Sequence, residues 1–296
     1  MTPAKYKAKY ESINVPLADG NSESVCVNRY RLRSSPKYYN AVAAEAFMAK
    51  IRARAFHLPL WVNVGPVTFR IVQRSRDSTF SVSETTTTAP QPVDADFLSK
   101  LGIMARYVFA GKGAPEHCQI VLQLAHYWDL APDGLQSYAD KAMGLDCNGF
   151  VGNYLWHVKK GIDWQGLGLG NHDLGPDAWI SSYFHGKKLV SSWGEIDPSR
   201  SYLFGLVDDA GNIIRGGPKS ATGHIAITEP HRSRPPTQYK APAIWSVEST
   251  AARDPGLSES WYSLISENPT TKVFMIHREQ AGVGSDKLPF KIAAVG

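Results

Sequence analysis

The hydrophobic pattern changes along the chain, from mixed elements near the start to helices and then to strands. Residues 1–20 show no period and are expected to form an arm. Residues 25–32 alternate as in a strand, and residues 39–56 have a helical period that ends before Pro59. Three further strands are predicted at residues 60–64, 67–72 and 79–82.

A run rich in threonine and proline interrupts this pattern at residues 85–94. Such a composition cannot supply a packed core and is typical of a linker. The sequence therefore predicts an N-terminal α+β domain over residues 1–84, used for docking or delivery. It predicts a second domain over residues 95–296.

The second domain begins with helical periods and ends with strand-like runs. Asp96 is placed to cap one helix, and Pro115 and Glu116 suit the first turn of another. Residues 159–200 carry no assignable pattern. Strands are predicted at residues 202–208, 223–228, 243–248 and 272–277. This order favours an α+β fold in which helices pack on an antiparallel sheet.

A third helix is predicted to begin at Cys147, and its start has the features of a nucleophile site. Gly144 suits a turn, and Asp146 is a good N-cap residue. Apolar residues then recur with a helical period, at Phe150, Val151, Tyr154, Leu155 and Val158. In the first turn, unpaired N–H groups and the helix dipole favour a thiolate. The alternative is that Cys147 is a small buried apolar residue.

Two downstream residues could serve such a nucleophile. His224 enters a predicted strand after Gly223, and Glu248 ends another apolar strand. If these strands are neighbours, the carboxylate can fix the imidazole tautomer while the other ring nitrogen faces sulfur. The alternatives are a core histidine with its own partners and a solvated glutamate at a strand end.

These three segments resemble the catalytic motifs of the NlpC-type, papain-like cysteine peptidases. The matching stretches are Asp-Cys-Asn-Gly-Phe-Val from Asp146, Gly-His-Ile-Ala-Ile from Gly223 and Val-Glu-Ser-Thr from Val247. The resemblance implies a papain-like core, with the nucleophile helix packed on an antiparallel sheet. It makes Cys147 the nucleophile, His224 the general base and Glu248 the residue that orients it. It also implies cleavage of amide bonds in peptidoglycan stem peptides, without metal or organic cofactor.

Composition narrows the remaining choices. The 296 residues carry a net charge of +5, with scattered basic residues, which favours solubility over a nucleic-acid partner. Three cysteines are too few for a disulfide framework. His117, Cys118 and His126 lack the spacing of a metal site, and residues 166–170 lack the strand that precedes a phosphate loop. No apolar run is long enough for a membrane span, and no signal peptide is apparent.

The expected protein is therefore a cysteine peptidase or amidase acting on peptidoglycan peptides or another peptide substrate. Synthesis in the cytoplasm without a cleaved signal suggests export by a non-classical route, as an antibacterial effector toxin. Its partners would then be a secretion machine and an immunity protein. Two alternatives stay open: an acyltransferase or protease acting on a cytosolic target, and a catalytically inactive binding module.

Overall fold

The computed structural model describes residues 1–17, 20–53, 60–64, 67–73, 80–84, 91–93, 95–160, 176, 178–215, 223–235, 241–279 and 286–295. The α-helices in these residues are α1 (Pro3–Glu11), α2 (Ala41–Arg52), α3 (Ala95–Phe109), α4 (Pro115–Tyr127), α5 (Leu135–Ala142) and α6 (Cys147–Lys160). The strands are β1 (Ile13–Pro16), β2 (Ser22–Val25), β3 (Leu60–Val64), β4 (Val67–Gln73), β5 (Phe80–Glu84), β6 (Gln91–Val93), β7 (Tyr202–Leu206), β8 (Ile225–Arg234), β9 (Ala243–Ser249), β10 (Leu257–Asn268), β11 (Val273–Glu279) and β12 (Asp286–Ala294). Short 3-10 helices lie at Ile180–Phe184 and Trp193–Glu195.

The chain forms two compact units, each assembled from separate stretches of sequence. The first unit contains residues 1–7, 146–158 and 173–296, and the second contains residues 8–145 and 159–172. The predicted domains, 1–84 and 95–296, follow the chain continuously and stay a prediction. Of the predicted linker, residues 85–90 and 94 lie outside the described residues, and Gln91–Val93 forms β6.

Six antiparallel strands of the first unit close into a barrel in the order β10-β11-β12-β7-β8-β9. Closure is complete because β12 pairs with β7 and β9 pairs with β10. The predicted α+β fold, with a papain-like core of a helix packed on an antiparallel sheet, is therefore wrong. The nucleophile helix begins beside a closed barrel.

Two strands that the sequence pattern missed account for this error. The four predicted strands correspond to β7, β8, β9 and β11, and alone they would leave β11 without a neighbour. The missed strand β10 joins β9 to β11, and the missed strand β12 joins β11 to β7. Strand β10 carries serine and glutamate among its apolar residues, and β12 contains Pro289. Both therefore lack the clean alternation that marks a strand.

Large apolar side chains fill the barrel. The rings of Phe204 and Tyr262 lie 5.4 Å apart, and those of Phe204 and Phe290 lie 6.0 Å apart. On β7, Gly205 permits a close approach, since a Cβ there would lie 2.7 Å from the Phe184 ring. The members of this core include Val190, Trp193, Tyr202, Phe204, Ala226, Ile244, Tyr262, Phe274, Ile276, Phe290 and Ile292.

The start of the chain supports α6 in the first unit. Residues 1–20 were expected to be an arm, but Pro3–Glu11 is a helix. The buried ring of Tyr6 lies 5.3–6.0 Å from the rings of Phe150, Tyr154 and His157 on α6. The Tyr154 hydroxyl also donates to the carbonyl of Met1 at 3.1 Å. The first residues therefore form part of the packing around α6.

The second unit contains α2 to α5, the β1–β2 hairpin and a four-stranded antiparallel sheet, β3-β4-β5-β6. Helices α2 and α4 and strands β3 to β5 confirm the periods read from the sequence. Phe47 anchors this unit, with ring centroids 5.5 Å from Phe109 and 5.0 Å from Trp128. In the described part of the chain, no helix is both long and apolar enough to cross a membrane.

Candidate functional site

The N-terminus of α6 presents Cys147 in the first helical turn. Oδ1 of Asp146 accepts from the amide of Gly149 at 2.6 Å, and its carbonyl accepts from the amide of Phe150 at 3.1 Å. Asp146 therefore caps the helix, as the sequence predicts. Cys147 is 7% exposed, and its Sγ lies 4.0 Å from the carbonyl oxygen of Gly223. The start of α6 thus lies against the residue that precedes His224.

His224 connects Cys147 with Glu248. Its Nε2 lies 2.7 Å from Oε2 of Glu248, and the Cys147 thiol is near enough to raise the pKa of the imidazole. Since Nε2 is engaged by the carboxylate, Nδ1 is the ring nitrogen left for sulfur. The strands are neighbours, because β8 pairs with β9 in a register that places Ile227 opposite Val247. The three side chains that the sequence singled out therefore lie together, with His224 between the thiol and the carboxylate.

Glu248 is fully buried and receives four side-chain hydrogen bonds. Oε2 accepts from His224, from the Tyr262 hydroxyl at 2.9 Å and from Nη1 of Arg278 at 2.9 Å. Oε1 accepts from the Ser260 hydroxyl at 2.7 Å, and Nη2 of Arg253 lies 4.0 Å away. Glu248 is therefore not the solvated strand end that the sequence left open, because its carboxylate is held in place from several sides.

All of these groups lie at one end of the barrel. His224 directly precedes β8, Glu248 lies at the end of β9, and Arg278 lies at the end of β11. Ser260 and Tyr262 lie near the start of β10, two residues apart and hence on one face of that strand. Deeper in the barrel the lining becomes apolar, and the Phe290 ring lies 6.5 Å from the His224 ring. The barrel interior is therefore polar at this end and lined by aromatic and other apolar side chains deeper inside.

The electrostatics favour a protonated His224 beside an ionised Glu248. Burial alone would lower the pKa of His224, but hydrogen bonds to Cys147 and Glu248, and their charges, raise it to about 9. Burial alone would raise the pKa of Glu248, yet His224, Arg278 and Ser260 hold it well below its usual range. The glutamate thus stays ionised at neutral pH and stabilises a protonated His224.

Asn148 follows the cysteine at the position where the resembled family has serine. Its Nδ2 donates to the carbonyl of Ala178 at 2.8 Å, so it ties the chain before the first 3-10 helix to the start of α6. Its Oδ1 lies 3.8 Å from the Cys147 sulfur. The first amides of a helix have no acceptor within it. Those of Cys147 and Asn148 are therefore suited to an oxyanion beside the sulfur.

Sequence reasoning missed the residues that hold Glu248. Ser260 and Tyr262 escaped notice because β10 was not predicted. Arg278 offered a usable signal, since it is a cation at the end of an apolar strand. A buried cation of this kind needs an anionic partner, and Glu248 at the end of another apolar strand is its counterpart.

No group of three or more His, Cys, Asp or Glu residues capable of holding a metal ion is found among the described residues. Cys118 is a buried thiol on α4. Burial, and to a smaller extent the charge of Glu116, raises its pKa. The glycine-rich stretch at residues 166–170 lies outside the described residues. Comparison with protein-family models, with curated proteins and with solved structures finds no match to this chain.

Proposed function

We propose that this protein is a cysteine-dependent amide hydrolase, with peptidoglycan peptides as its substrate class. The observation that carries the proposal is the position of His224 between Cys147 and Glu248, with a His224–Glu248 distance of 2.7 Å. A nucleophile, a base within reach of it and a group that orients the base form the arrangement that enzymes commonly use for acyl transfer. The motif resemblance to NlpC-type peptidases supports the choice of substrate, although the core that the same resemblance implies is not the fold observed.

The proposed reaction proceeds in two halves. The Cys147 thiolate attacks the amide carbonyl, and the carbonyl π electrons move to oxygen, where first-turn amides of α6 stabilise the negative charge. His224 gives its proton to the departing amine as the carbon–nitrogen bond breaks, which leaves a thioester on Cys147. The now neutral His224 then takes a proton from water as the water attacks the thioester. Release of the carboxylic acid restores the thiolate and the imidazolium.

Glu248 acts on this reaction through His224. Its carboxylate accepts from Nε2, so Nδ1 stays directed to sulfur, and its charge stabilises the imidazolium that donates to the amine. Arg278, Tyr262 and Ser260 fix the carboxylate. We therefore assign these three as positioning residues.

Digestion of purified sacculi tests the proposal. The wild-type protein should release free amines, and the masses of the released fragments should identify the bond that is cleaved. Cys147→Ala should abolish release, whereas Cys26→Ala, which removes a thiol of the other unit, should retain it. Equal release by the wild type and Cys147→Ala would refute the hydrolase. Cleavage of sacculi would make delivery as an effector toxin the next hypothesis.

Measurements on Cys147 also distinguish the two alternative functions. An acyltransferase would cleave no sacculi, but intact-mass measurement after exposure to an acyl donor would show an acyl group on Cys147. An inactive binding module would show neither product, and iodoacetamide would alkylate Cys147 slowly at a rate unaffected by Glu248→Gln.

A further inference from the structure

The exposed side chain of Trp179 carries a stacked arginine next to the candidate site. Trp179 is 55% exposed, and the guanidinium carbon of Arg215 lies 3.6 Å from the centre of its indole ring. The stack fixes the plane of the guanidinium, whose N–H groups suit two-pronged binding of a carboxylate.

Two short chains of hydrogen bonds join this pair to the reacting residues. On the nucleophile side, Asn148 binds the carbonyl of Ala178, the residue before Trp179, at 2.8 Å. On the base side, the amide of Leu206 donates to the carbonyl of His224, and the carbonyl of Leu206 accepts from Ile214, at 2.9 Å each. The amide of Ile180 completes the link by donating to the carbonyl of Arg215 at 3.2 Å. The segments that carry Trp179 and Arg215 are thus joined by hydrogen bonds to the segments that carry Cys147 and His224.

A groove of about 440 Å³ continues from Arg215 and is positively charged. Lys187, Lys291 and Arg215 line it, and among the residues that the structure describes none that lines the groove is aspartate or glutamate. Asp208 and Asp209 lie on the turn between Val207 and Ile213, which pair with each other, but they do not line the groove. Oδ1 of Asp208 accepts from the amide of Asn212. Three cations in one concave surface favour an anionic ligand.

We propose that Arg215, held by Trp179, and the groove beyond it bind a carboxylate of the substrate, so that acidic peptides are preferred. This inference rests on the proposed function in placing a substrate at Cys147, and it narrows the substrate to amides that carry a free carboxylate beside the scissile bond. Arg215 contacts that carboxylate directly. Lys187 and Lys291 attract the remaining negative charge of a longer acidic ligand.

Peptide binding to the Cys147→Ala protein tests the subsite without any reaction. The probes are N-acetyl-Ala-Glu-Ala-amide and the matched peptide with Gln in place of Glu. The readout is the NMR signal of the Trp179 indole N–H, assigned by its loss in Trp179→Phe. Half-saturation should require about fivefold less of the glutamate peptide, the scale of one exposed charge pair. Arg215→Gln should remove this preference, and Lys188→Gln, an exposed lysine outside the groove lining, should keep it.

Equal half-saturation by the two peptides, no shift with either, or a preference that survives Arg215→Gln would overturn the subsite. Because Cys147 is absent from the titrated protein, this result does not depend on hydrolysis. Failure of the wild type to cleave any amide would refute the proposed function while the acidic preference stands. Cleavage by a protein without that preference would refute the subsite alone.

Discussion

Tyr262 and Arg278 are direct cross-strand partners on β10 and β11, and both donate to Oε2 of Glu248 at 2.9 Å. Burial and the nearby glutamate raise the pKa of Tyr262 well above its usual value, so it remains a neutral donor. Arg278 is almost completely buried and is the closest cation to the carboxylate after His224. The stability of this end of the barrel therefore depends on one carboxylate that neutralises buried positive charge.

Replacing that carboxylate should cost much of the protein's stability. Glu248→Leu would leave Arg278 buried without its counter-ion, and breaking a buried pair in this way costs about 3–5 kcal/mol. The measurement is the free energy of unfolding in urea. Glu45→Gln, which removes an exposed ion pair with Arg52, should cost less than about 1 kcal/mol and is the matched control.

The double variant Glu248→Leu/Arg278→Met separates this cause from lost packing. Removing both charges should recover part of the loss, because Arg278 is then no longer buried without its counter-ion, whereas His224 and Arg253 still lose theirs. A double variant as unstable as the sum of the two single variants would contradict the charge argument and indicate a packing effect.

The protonation of His224 gives a second prediction. With its pKa raised to about 9, the imidazole stays protonated at neutral pH and loses its proton only as the pH passes about 9. Amide cleavage should therefore decline above about pH 9, because the leaving amine then lacks its proton donor. NMR titration of the His224 ring carbons would measure the midpoint directly, without relying on activity.

Glu248→Gln should move this midpoint to lower pH. The substitution removes the charge of Glu248 and weakens its hydrogen bond, two of the causes that outweigh burial at His224. An unchanged His224 midpoint would show that Glu248 does not stabilise the imidazolium.

Much of the site was predictable because its signals are local. A capping aspartate, a thiol in the first turn and an apolar stripe lie within a few residues of one another around Cys147. His224 and Glu248 each lie at an edge of an apolar run. A nucleophile at a helix start, and a base or an acid at a strand edge, can each be recognised from a short stretch of sequence.

The barrel was not predictable in the same way because closure is a non-local property. It depends on the pairing of β12 with β7, two strands about eighty residues apart, and on β10, whose buried Ser260 and Ser263 read as surface residues. Ser260 is polar yet inward-facing because it donates to Glu248 at the polar end of the barrel, whereas Ser263 lies on the other face of β10 and donates to Glu279. Ser260 therefore both holds Glu248 and breaks the apolar alternation by which β10 could have been predicted.

Gly152 gives a prediction that opposes helix propensity. Alanine at an exposed helical position is favoured over glycine by about 1 kcal/mol. A Cβ at residue 152, however, would lie 2.6 Å from Cα of Pro176 and 2.6 Å from the Tyr183 hydroxyl. Gly152→Ala should therefore destabilise the protein by about 1–3 kcal/mol, the usual cost of overpacking, as measured by urea unfolding.

The double variant Gly152→Ala/Tyr183→Phe tests the steric cause. Removing the hydroxyl relieves one of the two contacts, so the double variant should be more stable than the sum of the single effects. Strict additivity would indicate that α6 shifts as a whole instead of meeting the Tyr183 side chain.

Asp146 links the stability of α6 to the reactivity of Cys147. Asp146→Ala removes the acceptor for the amide of Gly149, which is 2.6 Å from Oδ1, and loss of such a cap costs about 0.5–2 kcal/mol. Because the cap also sets where the helix begins, fraying of the first turn should move Cys147 away from His224. Alkylation of Cys147 by iodoacetamide at neutral pH should then be slower. Asp146→Asn retains an acceptor oxygen and should preserve most of the rate, so an equal loss in both variants would attribute the effect to the charge of Asp146 instead of to the cap.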